Sequence, residues 1–323
     1  MTSRPRQDTP AFLDSARPDV PDIVVPRGVV PFHMPHRTVR GRLVRLGRLA
    51  DALLTRHEHA PAVTELLGQA LALVAALATA LKFRGSFSLQ AKGDGAVPML
   101  LADCTESGQL RGYARADGDK LDALLAAEPV PGAAALLGNG YFALTVDQGP
   151  EMDRHQGIVK IEGDTLADMA LHYFRTSEQI ACRLHLACAR GPDGWRAAAL
   201  VLERVAAEGG IDAELAAAET DEDWRTAATL MGTLTDAELL DDGLAPEQLL
   251  FRLFGAEGVA ADRPRALGYG CRCSRAKLSG ILDGFSKEDL DDMVVGSAIV
   301  MTCEFCNLDF RFDRDEVGRA EAS

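Results

Sequence analysis

The chain has no basic excess: 34 lysines and arginines face 48 aspartates and glutamates, a formal net charge of −14 over 323 residues. Most of such a surface repels a phosphate backbone, which excludes a general DNA or RNA binder. It also lacks an apolar run long enough to span a bilayer. The longest, Leu66 to Leu81, is 16 residues against the roughly 20 required, and reads as a buried core helix. A secretory leader is missing too, since seven of the 15 prolines crowd into the first 35 residues with no continuous apolar stretch between them. That composition predicts a flexible tail and a cytoplasmic protein. Neither a G-x-S-x-G elbow nor a phosphate-binding glycine loop occurs, and His155, His172 and His185 have no triad partner in the sequence. Gly93-Asp94-Gly95 is not followed by the lysine and helix such a loop needs, so it reads as a turn. No enzymatic chemistry is expected.

What is present fits a globular α+β protein of more than one domain. Hydrophobic residues make up 47% and charged residues 25%, ordinary folded usage, and the length exceeds one compact core. After a Pro-rich tail over 1–38, residues 39–206 alternate helical and strand-like patterns. Pro61 suits the first turn of a helix whose apolar positions run from Leu66 to Leu81. Ser86–Gln90, the turn Lys92-Gly93-Asp94-Gly95 and Val97–Leu101 predict a hairpin, and Tyr141–Val146 and Gly157–Ile161 further strands. Thr165 with Asp168 opens a helix.

The composition then shifts. Between Glu208 and Glu257, 13 acidic residues face Arg225 and Arg252, a local charge of −11. Thr235 with Glu238 reads as a capping box, Pro246 as a helix start, and Leu249, Leu250, Leu253 and Phe254 as an apolar face. A charged segment with so thin a stripe must lean on a neighbour, so 207–262 reads as a metastable helical linker or as an ordinary acidic helical hairpin. Residues 263–323 form a small module, with a helix start at Ser286 and Asp289 and a hairpin, Ser297–Thr302 with Asp309–Phe312, turning at Cys303-Glu304-Phe305-Cys306.

Four of the seven cysteines cluster as Cys271-x-Cys273 and Cys303-x-x-Cys306. Zinc takes about four soft ligands in a tetrahedron, supplied as two close pairs brought together by folding. No histidine follows His185, so a local site is all sulfur. One zinc per chain is the favoured reading, ahead of two separate cysteine pairs or an iron–sulfur site. A module of this size is marginal without such a metal, which contributes ~10–16 kcal/mol in comparable peptides. On pattern alone a permanently structural ribbon leads, in a regulatory or nucleic-acid-associated protein. A zinc hydrolase would need an open coordination position, which four cysteines do not leave.

Cys271-Arg272-Cys273-Ser274-Arg275 together with Cys303-Glu304-Phe305-Cys306-Asn307 resembles the signature of the redox-regulated thirty-three-kilodalton heat-shock chaperones. Leu81-Lys82-Phe83-Arg84-Gly85, Leu110-Arg111-Gly112-Tyr113 and Tyr173-Phe174-Arg175-Thr176-Ser177-Glu178-Gln179 look like the same family, and the likeness runs from about residue 39 to 313. It implies an ATP-independent holdase for unfolded or aggregation-prone clients, inactive while reduced and zinc-bound. Cys271, Cys273, Cys303 and Cys306 would be the ligands and, once oxidised, would pair as Cys271–Cys273 and Cys303–Cys306. Zinc release, unfolding of the linker and module, and homodimerisation accompany activation in that family, with neither nucleic acid nor membrane as partner. The tail is longer than the resemblance requires, and Phe310 stands where tyrosine is commoner. Cys104, Cys182 and Cys188 read as buried inert thiols, and His57 and His59 as exposed surface residues.

Overall fold

One 11-stranded sheet, made of two antiparallel halves, runs through the unit of residues 22–270. The computed structural model describes residues 21–35, 37–79, 85–149, 152, 154–205 and 213–318, without the side chains of 213–220. In chain order this unit runs β1 (Val24–His33), β2 (Val39–Arg45), α1 (Arg48–Leu54), α2 (Pro61–Ala78), β3 (Ser86–Gly93), β4 (Met99–Thr105), β5 (Gln109–Arg115), α3 (Gly118–Ala127) and α4 (Ala133–Leu137). It continues with β6 (Gly140–Asp147), β7 (His155–Lys160), α5 (Leu166–Tyr173), β8 (Cys182–Gly191), β9 (Gly194–Arg204), α6 (Ala213–Met231), α7 (Asp236–Leu240), α8 (Pro246–Phe254), β10 (Ala260–Ala261) and β11 (Arg265–Tyr269). The strand order is β7-β6-β3-β4-β5-β11-β1-β2-β9-β8, with β10 beside β1. The seam between the two antiparallel halves is the parallel pair β11 and β5.

Alternation along the strands builds two cores. Val44 and Val201 point to one side, with α2; Leu43 and Leu200 point to the other. Helix α2 is long and apolar enough to cross a bilayer, but 78% of it is buried inside the protein, so its apolar surface is consumed by the core. Gly68 permits the closest approach, because a Cβ there would sit 2.3 Å from Cys188 Sγ. The far face of β1, β2, β8 and β9 is closed by the acidic segment: Ala227, Met231, Leu234, Leu239, Leu249, Leu250, Leu253 and Phe254 bury against Val30, Phe32, Met34, Val39, Leu43, Leu200 and Leu202. Phe32 stacks on Phe254 with centroids 5.6 Å apart. It can lie there because Gly41 has no Cβ, which would fall 2.3 Å from its ring.

The hairpin at 86–105, the strands at 140–147 and 155–160, and the capping boxes at Thr165/Asp168 and Thr235/Glu238 form as the sequence predicts. Two expectations change. The tail does not reach residue 38: Val24–His33 is a strand, held between β2 and β11. Pro26 is accommodated because the β1–β11 register shifts between Val25 and Val29, the kind of irregularity where a missing N–H costs no ladder bond. Likewise, the small module does not begin at 263. Arg265–Tyr269 pairs with β1 and β5 and buries Leu267, so the sheet unit extends to Gly270 and the second unit starts at Cys271. Residues 1–20 and Leu81–Arg84 lie outside the described residues.

The second unit contains α9 (Arg275–Leu282), α10 (Lys287–Asp292), β12 (Val294–Val295), β13 (Ala298–Thr302) and β14 (Asp309–Asp313), the strands forming one antiparallel sheet. Its apolar core is small: Leu282, Leu290, Ile299, Phe310, Phe312 and Val317 are its large buried aliphatic and aromatic side chains among the described residues.

Candidate functional site

Cys303 and Cys306 sit in the turn between β13 and β14. The Cys303 N–H donates to Leu308 O at 3.0 Å and the Asn307 N–H to Cys303 O at 2.7 Å, while Asn307 takes the left-handed conformation, φ 53°. That tight turn aims both thiols to one side. Cys271 and Cys273 lie in extended chain just before α9, whose N-cap Ser274 is buried and accepts from the Lys277 N–H at 3.2 Å. Arg275 then locks the helix to the hairpin, its guanidinium 4.4 Å from the Phe312 ring centre and bonded to Arg311 O and Glu316.

All four predicted cysteines come together, buried, with their sulfurs within 4.8 Å of one another. Cys271 Sγ is 3.3 Å from Cys273 Sγ and 3.6 Å from Cys303 Sγ; Cys273 Sγ is 3.5 Å from Cys306 Sγ. A tetrahedral ion with metal–sulfur bonds near 2.3 Å requires sulfurs about 3.8 Å apart, so the set could hold a metal ion. Packed this closely, the thiols compete for charge. Contact with Cys273 lowers Cys271 to about 7, and contact with Cys271 lowers Cys303 while raising Cys273 and Cys306. A divalent cation resolves the conflict by favouring all four thiolates.

The other cysteines do not join the cluster. Burial pushes Cys104 and Cys182 up to about 12 and raises Cys188 as well, which keeps them as unreactive thiols. Cys182 and Cys188 are six residues apart on β8, about 20 Å along a strand, too far for a disulfide. His57 and His59 depart from expectation. They are half-buried and stacked, centroids 5.3 Å apart, and burial lowers the pKa of His59. Nothing in the local sequence announces what covers that turn.

A feature the sequence did not reveal is how the acidic segment is attached. Arg204 pairs with Asp221 at 2.5 Å, Arg37 with Asp223 and Glu257 at 2.5 and 2.6 Å, Arg196 with Asp242 at 2.5 Å, and His185 with Asp236 at 2.6 Å. Arg27 pairs with Glu247. The Arg45 guanidinium donates to Leu239 O at 2.8 Å, to Glu238 O at 2.7 Å and to Leu244 O, closing the C-terminal end of α7 as a cation should. Arg27, Arg45, His185, Arg196 and Arg204 lie on strands, and Arg37 in the β1–β2 connection. Only the strand alternation, read against the acidity of 208–257, could have signalled them.

Comparison with known proteins agrees with the cysteine pattern. The model of the Hsp33 protein family matches residues 28–313. The 33 kDa chaperonin of Caulobacter vibrioides (strain NA1000 / CB15N) is 40% identical over 287 residues, 87% of this chain and 93% of that protein. That of Pseudomonas fluorescens (strain SBW25) is 36% identical over 282 residues, covering 87% and 88%. Among solved structures, the 33 kDa chaperonin of Thermotoga maritima superposes with a TM-score of 0.72 at 21% identity, covering 90% of this chain and 96% of that one; this supports the fold. With a family match spanning most of the sequence and relatives at this identity along nearly their whole length, the chain belongs to the Hsp33 family of molecular chaperones.

Proposed function

We propose that the chain is an ATP-independent holdase, held inactive by zinc and switched on by oxidation of its cysteine site. The observation that carries this reading is the second buried cluster: a sheet face rich in large apolar side chains is closed by a segment of net charge −11. A segment fixed by one apolar stripe and by ion pairs that stay partly exposed sits nearer the low-stability end of a fold than a helix buried on all sides. Its departure would uncover the surface that an unfolding client needs.

Zinc, held as one ion by Cys271, Cys273, Cys303 and Cys306, would supply the folding free energy that the small core lacks, on the order of 10 kcal/mol. The single-ion spacing of the sulfurs supports zinc over an iron–sulfur cluster, whose several metal atoms spread their thiolates further apart. Oxidation by peroxide balances simply. Two thiolates, two protons and one hydrogen peroxide give one disulfide and two waters, first in one close pair and then in the other, as Cys271–Cys273 and Cys303–Cys306. Disulfides are poor metal ligands, so the ion leaves and the module loses its fold. The chain passes from β11 directly into Cys271, so unfolding there loosens β11 and β10, the strands that follow the acidic segment.

Such a switch works only where thiols start reduced, which places the resting protein in the cytoplasm. No catalytic step is assigned to it. The activated form pairs as a homodimer and holds unfolded or aggregation-prone proteins for later refolding; family membership supports the holding of clients.

Zinc content, followed during peroxide treatment at raised temperature beside light scattering from a denaturing client, tests the reading. One zinc per chain, released as suppression of aggregation appears, is the expected result. Tightly retained zinc with no gain of suppression would overturn it in favour of a permanently structural ribbon.

A further inference from the structure

We propose that the sheet face beneath residues 221–262 selects acidic amphipathic client segments, because an apolar floor rimmed by arginines is complementary to the cover it already carries. This rests on the reading that the acidic segment leaves that face on activation, and it adds which clients bind best.

The charge distribution motivates it. By sequence, residues 22–207 contain 20 acidic and 20 basic residues, so the body beneath the cover is neutral as a whole. The charge on the covered face is not evenly mixed. Along β9 that face reads Arg196, Ala198, Leu200, Leu202, Arg204, an apolar stripe with a cation at each end. On β2, Val39, Gly41 and Leu43 lead to Arg45, and the β1–β2 connection adds Arg37. On β8, His185 lies opposite Leu200. In the resting fold each of these basic side chains is engaged by a carboxylate or a backbone carbonyl of the acidic segment. Removing the cover frees all of them together around one floor.

An occupant that buries apolar side chains there without acidic groups at its margins would leave Arg37, Arg196 and Arg204 partly desolvated and without a carboxylate partner. Their side chains are only 31%, 19% and 29% exposed with the cover on. One that carries acidic residues beside its apolar stripe restores the same pairs. Each rim pair is worth little by itself, but three or four together predict about a tenfold preference at low ionic strength. Screening should erase most of it at high salt, where the Debye length falls to about 3 Å.

The test uses the full chain after peroxide activation and three synthetic peptides that share one apolar stripe and carry glutamate, glutamine or lysine at the flanking positions. Fluorescence anisotropy should show the acidic peptide bound about tenfold tighter than the uncharged one, and the basic peptide weakest. The acidic advantage should shrink at molar salt, a measurement that needs no variant. In the triple variant Arg37→Gln, Arg196→Gln, Arg204→Gln the spread should collapse to about twofold. Equal affinities for the three peptides, or a preference unchanged by salt, would overturn the proposal while leaving the holdase reading intact. So would a DNA duplex competing as well as the acidic peptide, since the apolar floor would then play no part. Failure to bind any peptide, together with no suppression of client aggregation, would sink the holdase reading and this inference with it.

Discussion

The two faces of the sheet formed by β1, β2, β9 and β8 are covered by different materials. On one side α2 is apolar almost around its circumference, with most of its residues fully buried. On the other, α6 and α8 offer one apolar stripe each and meet the sheet at their margins through ion pairs whose side chains stay partly exposed. Burial of aliphatic surface does not depend on salt or on a titration, whereas exposed pairs contribute little singly and are screened. The first cover is therefore part of the core, and the second is the one that the proposed function has the fold lose as a lid. A holdase switched as proposed needs both kinds of cover, because the body has to survive the loss of one.

Removing one of the four clustered cysteines should separate the two covers most widely. With zinc held there as proposed, Cys306→Ser is expected to abolish stoichiometric metal and, with it, on the order of 10 kcal/mol of module stability. Read by hydrogen exchange, amides of 275–292 should lose protection first, those of 236–254 should follow, and those of 61–78 should keep theirs. Loss of protection in α2 at the same rate as in α8 would break the distinction.

Truncations in the two cores probe it next. Leu71 and Phe254 are both fully buried. Leu71→Ala should cost about 2–5 kcal/mol and lower the denaturant midpoint of the whole sheet unit. Phe254→Ala removes a ring of comparable worth, about 3–5 kcal/mol, yet the cost should fall on lid closure. The expected signature is binding of an apolar-surface dye in native buffer, with little movement of the global midpoint. Equal shifts of the global midpoint in both variants would show that the lid is as integral as α2.

This contrast explains what could be read from the chain beforehand. Local signals were reliable where a short spacing carries the physics: Pro61 at a helix start, Thr165 with Asp168, Thr235 with Glu238, Ser286 with Asp289, and the two cysteine pairs. Non-local pairings were not. Strand β1 carries Pro26 and Pro31, residues that argue against an interior strand, and only the partners on both sides reveal how they are tolerated. The segment 208–257 showed its charge and its stripe, but neither says which surface it closes. That surface is assembled from β1, β2, β8 and β9, far apart in sequence, and so are the arginines that rim it.

Arg45 offers a smaller and more local test. Its side chain is buried beneath the lid and donates to three carbonyls of 238–244, and hydrogen bonds from a charged group contribute about 1.5–3 kcal/mol. Arg45→Gln keeps some donors but loses the fork, so lid opening should become easier by about 2 kcal/mol. Fluorescence of Trp224, half-buried at the edge of the lid core, should report this as a transition at lower urea, ahead of the global one. A single transition at the wild-type midpoint would mean that Arg45 does not pin the lid.

Acid should move the two covers in opposite directions, and this is the smallest effect expected. Hydrogen bonds from the Thr235 backbone and hydroxyl, with Arg252 at 2.7 Å, hold the Glu238 carboxyl below its ordinary value of 4.5. Its folded pKa lies below the unfolded one, so its stabilisation of α7 is complete above about 4.5 and is lost as pH falls through the folded value. Glu65 on α2 is shifted the other way: burial raises its pKa, so its charged form weakens the fold at neutral pH and protonation relieves that strain. As pH falls from neutral to about 4.5, amides of α2 should therefore hold or gain protection, and below about 4.5 those of α7 should lose it. Replacing Glu238 by Gln keeps a capping acceptor but removes the titration, so the wild type and Glu238→Gln should differ at neutral pH and converge in acid. A difference that stays constant from neutral pH to well below 4.5 would show that the charge of Glu238 does not help to close the lid.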